Sequence, residues 1–340
     1  MSRSASILIT GASGEIGHGL ITRLSNGPRP IITLDLNPLL PDLGKLVRKE
    51  FVGSILDPQL LERINAEYEV DEVYHLAALL STRSEFSPAL AHKVNVEGTL
   101  NLLEFAQKEG ESHGRPVIFF YPSSIAAYGL PDVGTKAAVG SVKEDDFLMP
   151  TTMYGANKLY CEHLGRYYGR HYKQLSATPL GKVDFRCVRF PGLISADTVP
   201  SGGTSDYAPE MIHAAAKGEP YACFVRPDTA IPFMAMPDAV ESILKLTAAP
   251  RERLSRVVYN IGSFHPTAGE METIVRAAFP GATLTTKVDA MRQAIVDSWP
   301  AAVDDSAACR DWGHAPKYNL QNAFHEYLFP AVRKRYARPS

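Results

Sequence analysis

Short apolar runs alternate with longer amphipathic stretches through the first half of the chain. The runs at 6–10, 30–35, 50–52, 72–76, 117–121 and 183–189 have the length and β-branched, aromatic content of buried strands. Between them, 15–25, 58–68, 88–109 and 153–172 carry helical spacing of apolar residues, and Gly110 is expected to end the third helix. Asp57 before Pro58 fits an N-cap followed by proline at the first helical position. Strand–helix alternation predicts an α/β fold, a doubly wound parallel sheet with helices on both faces. From about Pro191 the rhythm changes, and segments rich in Pro, Gly and Ser (191–206, 226–232, 262–269) separate shorter elements. The expected organisation is therefore a domain over 1–190 and a smaller lobe over 191–340, some of whose segments return to the first domain. There is no internal repeat.

Composition narrows the partners. The 340 residues hold 35 Lys+Arg against 37 Asp+Glu, a net charge of −2, without the clustered positive charge a nucleic acid or anionic membrane requires. With 45% hydrophobic and 21% charged residues, the chain is not globally disordered. Cys161, Cys187, Cys223 and Cys309 are too scattered for a zinc or CxxC redox motif, so no metal is expected and all four read as buried, reduced thiols. The apolar run Ile7-Leu8-Ile9 before Thr10 is too short for a secretion signal or a membrane span, and a cytoplasmic protein is expected.

Chemistry concentrates in three places. Gly11-Ala12-Ser13-Gly14-Glu15-Ile16-Gly17 follows the first strand and opens the first helix, where glycines let a pyrophosphate approach the free N–H groups of the helix N-terminus. Asp35, ending the second strand, is placed to accept hydrogen bonds from both adenosine ribose hydroxyls. Its charge repels a 2′-phosphate and neither Leu36 nor Asn37 offsets it, so NAD is favoured over NADP. Tyr154 and Lys158, four apart on one helix face, stand downstream of Ser124 at the carboxyl end of a strand. A tyrosine ordinarily titrates near pH 10, and a neighbouring ammonium with a positive nicotinamide ring would bring it towards the range of a base. A Ser–Tyr–Lys group beside NAD is the equipment for removing a hydroxyl proton while hydride leaves the same carbon.

These strings, with Leu76-Ala77-Ala78, Asn95, the SSIAAYG and YGANK segments and RFPG at 189–192, resemble the extended short-chain dehydrogenase/reductase superfamily over nearly the whole chain. The resemblance implies a Rossmann-type sheet with a C-terminal substrate lobe. It further implies that Leu76, Ala77 and Ala78 line the cofactor cleft, that Asn95 supports it and that Pro191 borders the nicotinamide. This chain has Gly53-Ser54-Ile55 where such families often carry Gly-Asp-Ile, so the adenine contact passes to the Ser54 hydroxyl or backbone beside Ile55. A homodimer through four helices, 88–109 and 153–172 from each subunit, is also implied.

Finer strings resemble the short-chain-type L-threonine 3-dehydrogenase family: HLAALLS at 75–81, PTTMYG at 150–155, GGTSDYA at 202–208 and DSWP at 297–300. That family implies L-threonine as substrate, oxidised at its 3-hydroxyl, with Ser124 and Tyr154 on the hydroxyl. Leu80, Ser81, Gly202 and Thr204 would then form the pocket. Asp206 either faces the substrate ammonium or caps the helix starting near Tyr207, and Trp299 either closes over substrate or simply packs. His75, Arg186 and Arg189 read as buried supporting residues. The segment 131–146 is expected to be a long loop. A nucleotide-sugar epimerase or dehydratase, and a non-catalytic NAD-sensing protein, are the rival readings.

Overall fold

The computed structural model describes residues 5–196, 198–200 and 202–337; residues 1–4, to which the reading of the N-terminus extends, lie outside the described residues. Seven parallel strands form the central sheet: β1 (Ala5–Thr10), β2 (Ile31–Asp35), β3 (Lys49–Val52), β4 (Glu69–His75), β5 (Val117–Ser124), β6 (Val183–Phe190) and β7 (Val258–Asn260). Their order is β7-β6-β5-β4-β1-β2-β3. The chain leaves β1 towards one edge and returns on its other side at β4, so the crevice between the carboxyl ends of β1 and β4 is the topological switch point where such sheets bind ligands.

The central strands are largely apolar because both faces of the sheet are covered, and the charged residues they carry, such as Asp184, Arg186 and Arg189, are buried with partners. Along β1, Leu8 packs into the core on one side and Ile7 and Ile9 into the core on the other. Phe119 and Phe120 on β5 divide in the same way. The helices that cover these faces include α1 (Glu15–Leu24), α2 (Pro58–Glu67), α3 (Gly98–His113) and α4 (Met153–Arg170). Asp57 caps α2 as expected, its carboxylate accepting from the backbone N–H groups of Gln59 and Leu60.

After residue 191 the chain contributes to two places. Strand β7 joins the sheet beside β6, and α6 (Met236–Ala248) lies on α1 so closely that a Cβ at Gly19 would sit 2.6 Å from Val240 Cγ2. In contrast, α5 (Tyr207–Lys217), α7 (Ala268–Ala278) and α8 (Ala290–Asp297) surround a separate core containing Tyr207, Phe224, Phe233 and Trp299.

Three expectations need correction. Gly110 does not end its helix, which runs on to His113 and closes at Gly114 in the left-handed conformation (φ +77°). Gly110 is there for close approach instead: a Cβ would lie 2.5 Å from that of Lys182. Segment 131–146 is not a continuous loop, because Asp132 caps a short helix, Val133–Val139, by accepting from the Thr135 N–H. Finally, Cys161, Cys187 and Cys223 are buried, but Cys309 is exposed, on a helix whose Ala307, Ala308 and Trp312 take the inward positions.

Candidate active site

The glycine-rich turn lies across the mouth of the sheet. Gly11 adopts φ +66° and passes so near the start of the next crossover that a Cβ would be 2.5 Å from Ala77 N and 2.7 Å from Leu76 C. Only glycine satisfies both the dihedral and the contact. Gly14 is the N-cap of α1 and brings no side chain to that helix end. Asp35 faces the same turn: its Oδ2 accepts from Ser13 N at 3.0 Å and its Oδ1 from Asn37 N at 2.9 Å. Each carboxylate oxygen keeps a lone pair for a further donor. The turn, the uncapped helix end and the fixed acid fit a dinucleotide, with pyrophosphate at the α1 N-terminus and ribose at Asp35.

Asn95 sits in a π-helical turn, Lys93–Glu97, immediately before α3. Its side chain accepts from Leu79 N at 2.7 Å and donates to Leu79 O at 3.1 Å, which fixes the loop carrying Leu76, Ala77, Ala78 and Leu80. Asn95 therefore acts on the cleft through that loop. Leu80 itself is exposed. Ser54 turns back on its own segment, its hydroxyl accepting from Leu56 N at 3.1 Å, while Ile55 is buried against Gly98. Pro191 is buried at the end of β6, and Glu15 and Ile16 open α1. His75 is a core residue, bonded to Thr10 on one ring nitrogen and Thr99 on the other, and burial lowers its pKa to about 3.

The Ser124, Tyr154 and Lys158 candidates lie where β5 ends against α4. Ser124 Oγ accepts from Ala126 N at 3.1 Å and so starts a 3₁₀ turn, Ile125–Ala127. That turn packs on the first turn of α4, where a Cβ at Gly155 would fall 2.0 Å from Ala126 O. Thr152 caps α4 through Gly155 N, which sets the helix start and hence Tyr154. One turn on, Lys158 is 2% exposed; its Nζ donates to Pro122 O at 2.7 Å and lies 5.4 Å from the Tyr154 ring centre. Burial pushes Lys158 down to about 8 and the Tyr154 phenol well above its ordinary range. Desolvation of the phenol thus outweighs the nearby ammonium, contrary to the effect expected of that ammonium.

A further set of bonds ties a loop from the later part of the chain to the segment after β4. Thr204 is buried, and its hydroxyl donates to Ser81 Oγ at 3.3 Å across 123 positions of sequence. Thr82 donates to Gly202 O at 2.9 Å, and Arg292 on α8 donates to Gly203 O at 2.7 Å. Asp206 stands at the N-cap position of α5, yet its carboxylate accepts from Gly203 N at 2.6 Å and makes no side-chain bond to the helix. It tightens the loop rather than capping α5. Trp299 is packed in the C-terminal core, against which Tyr154 also lies. Arg186 serves carbonyls at the end of α6, and Arg189 forms a buried ion pair with Glu162 of α4 at 2.6 Å. Thr82, Arg292 and Glu162 carry no local sequence signal.

A Rossmann sheet with a glycine turn, an acid at the end of β2 and a Tyr–Lys pair defines an oxidoreductase fold working with a nicotinamide cofactor. The chain matches the NAD dependent epimerase/dehydratase family over residues 7–262 and belongs to it. Within that class its relatives include the mitochondrial L-threonine 3-dehydrogenase of Bos taurus, 35% identical over 92% of this chain and 79% of that one. The solved structure of L-threonine dehydrogenase from Clostridium difficile is 32% identical, covers 99% of this chain and 100% of that one, and superposes with a TM-score of 0.85. A monomeric L-threonine 3-dehydrogenase from a metagenome, in its apo form, is 35% identical over 97% of this chain and 99% of that one, with a TM-score of 0.84.

Proposed function

We propose that this protein oxidises L-threonine at its 3-hydroxyl, giving L-2-amino-3-oxobutanoate and reduced NAD. The observation that supports the substrate is the contact between the Thr204 and Ser81 hydroxyls, which ties the 202–206 loop to the helix that follows β4. Thr82, Asp206 and Arg292 hold that loop in place, and its short polar residues are read as taking an amino-acid head group rather than a nucleotide sugar.

When bound, NAD supplies the hydride acceptor. Gly11, Gly14, Glu15, Ile16 and Gly17 would hold its pyrophosphate, Asp35 the adenosine ribose, Ser54 and Ile55 the adenine, and Leu76–Ala78 and Pro191 the rest of the cleft. Ser124 holds the substrate oxygen, and Tyr154 takes the hydroxyl proton. Lys158 binds the nicotinamide ribose and offsets the phenolate charge that burial otherwise opposes. Ser81, Thr204 and the Gly202 backbone take the amino-acid head group, while Leu80 shapes the rim. A homodimer through the helices that include α3 and α4 belongs to the same proposal, supported by Tyr160 and Tyr167 standing 54% and 41% exposed on α4. A cytoplasmic location is likewise part of it.

The test is Thr204→Ala. Each lost hydrogen bond to a charged head group is worth about 1.5–3 kcal/mol, so kcat/KM for L-threonine should fall roughly 10- to 100-fold. The NAD dissociation constant should hardly move. Loss of NAD affinity, or unchanged threonine oxidation, would place the pocket elsewhere.

A further inference from the structure

At the far end of α4 from Tyr154, a cavity of about 270 Å³ opens between that helix, the 144–148 segment and the start of β7. Its walls hold four arginines and three carboxylates, a net charge of +1 with His163 neutral. The carboxylates are already committed. Glu162 takes Arg189 through two bonds of 2.8 and 2.6 Å, and Asp145 takes Arg256 at 2.8 Å. Glu144 accepts from Asn260 N at 3.2 Å and lies 3.8 Å from Arg256. Arg189 is saturated too, its remaining nitrogen donating to Tyr128 and to Glu144 O.

That leaves Arg166 and Arg170. They lie one turn apart, so both guanidinium groups project from the same face of α4. Among the described residues neither makes an ion pair, although Arg189, Arg251 and Arg256 around them each have one. Arg166 reaches only the His163 ring, at 3.5 Å, while its charge also helps hold Asp145 below the ordinary carboxylate range. Burial, together with the positive charges of Arg251 and Arg166, pushes Arg170 down. A cation in the last turn of a helix complements the helix dipole, which accounts for Arg170 alone. It explains neither Arg166 nor the cavity.

We propose that this cavity is a second anion site, taking inorganic phosphate or a small phosphate monoester between Arg166 and Arg170. Two unpaired guanidinium forks suit the tetrahedral oxygens of a phosphate and can each bind it through paired N–H groups. The surrounding carboxylates disfavour a long polyanion, so the ligand is small.

The experiment uses the NAD-saturated protein, so that the α1 N-terminus is filled and cannot report. Inorganic phosphate is titrated calorimetrically at constant ionic strength, and glycerol 3-phosphate is titrated in a second arm. One saturable site is expected, weakened about tenfold or more in the Arg166→Gln/Arg170→Gln double variant. Turnover in phosphate-free buffer should be unchanged, which also reports that the variant is folded. The Arg166→Lys/Arg170→Lys variant, keeping both charges, should bind measurably. Tighter binding in the second arm identifies a metabolite's phosphate, and equal binding identifies the free ion. Absence of a saturable site, or equal affinity in the glutamine variant, would overturn the proposal.

Discussion

Lys158 shows how a single side chain here is held against its own preference. An ammonium that is 2% exposed loses most of its hydration, and one hydrogen bond to Pro122 O does not restore it. Below pH 8 that ammonium is protonated in folded and unfolded chains alike, and the fold carries the cost of burying it. Between about 8 and the ordinary lysine value of 10.5, the unfolded chain keeps a proton that the folded chain has released, so stability rises with pH. The rise from pH 7 to pH 10 should be on the order of 2 kcal/mol. In Lys158→Met this increment should disappear from denaturant melts of the cofactor-free protein; an identical pH dependence in both proteins would mean the lysine is hydrated. At this scale Tyr154, Lys158 and Ser124 were marked out as candidates by their spacing and order. The bonds that hold the 202–206 loop were not, because Thr82 to Gly202 and Arg292 to Gly203 join positions 120 and 89 apart, and no periodicity connects such pairs.

Among the elements, the fit of the 3₁₀ turn after β5 against the start of α4 decides whether Ser124 and Tyr154 share one site. Gly155 permits that fit, since its absent Cβ would lie 2.0 Å from Ala126 O, a backbone atom that cannot swing aside. Gly155→Ala should therefore separate turn and helix, costing about 1–3 kcal/mol of stability and most of the turnover. Gly114→Ala is the contrast: its φ of +77° makes alanine unfavourable, but the site lies at the other end of the sheet, so melting should fall while kcat stays. Urea melts and kcat measured on both variants check this, and an active Gly155→Ala would show that the contact is slack. Six strands were legible because apolar runs bounded by helical patterns are long enough to count. β7 was not, because it lies beyond 191 where the strand–helix rhythm breaks down, and it owes its place to pairing with β6. Gly110 misled because a glycine serving close approach looks, in sequence alone, like one serving a helix end.

Over the whole molecule, one sheet brings together four segments that are distant in sequence. These are the turn after β1, the loop after β4, the end of β5 with α4, and the 202–206 loop. Three of them follow from the doubly wound order, since each lies at the carboxyl end of a strand near the switch point. The fourth is delivered by the C-terminal lobe and depends on Thr204, Thr82 and Arg292 for its place. The class of protein follows from the sheet and the Tyr–Lys pair, whereas the proposed substrate rests on that last loop. Mixing the purified protein with NAD and L-threonine, while following the near-ultraviolet absorbance of reduced nicotinamide, addresses both together. Reduced cofactor should accumulate with L-threonine in the parent protein, and none should form in Tyr154→Phe although that variant still binds NAD. No reduction by the parent protein, with turnover of a nucleotide sugar in its place, would contradict the account.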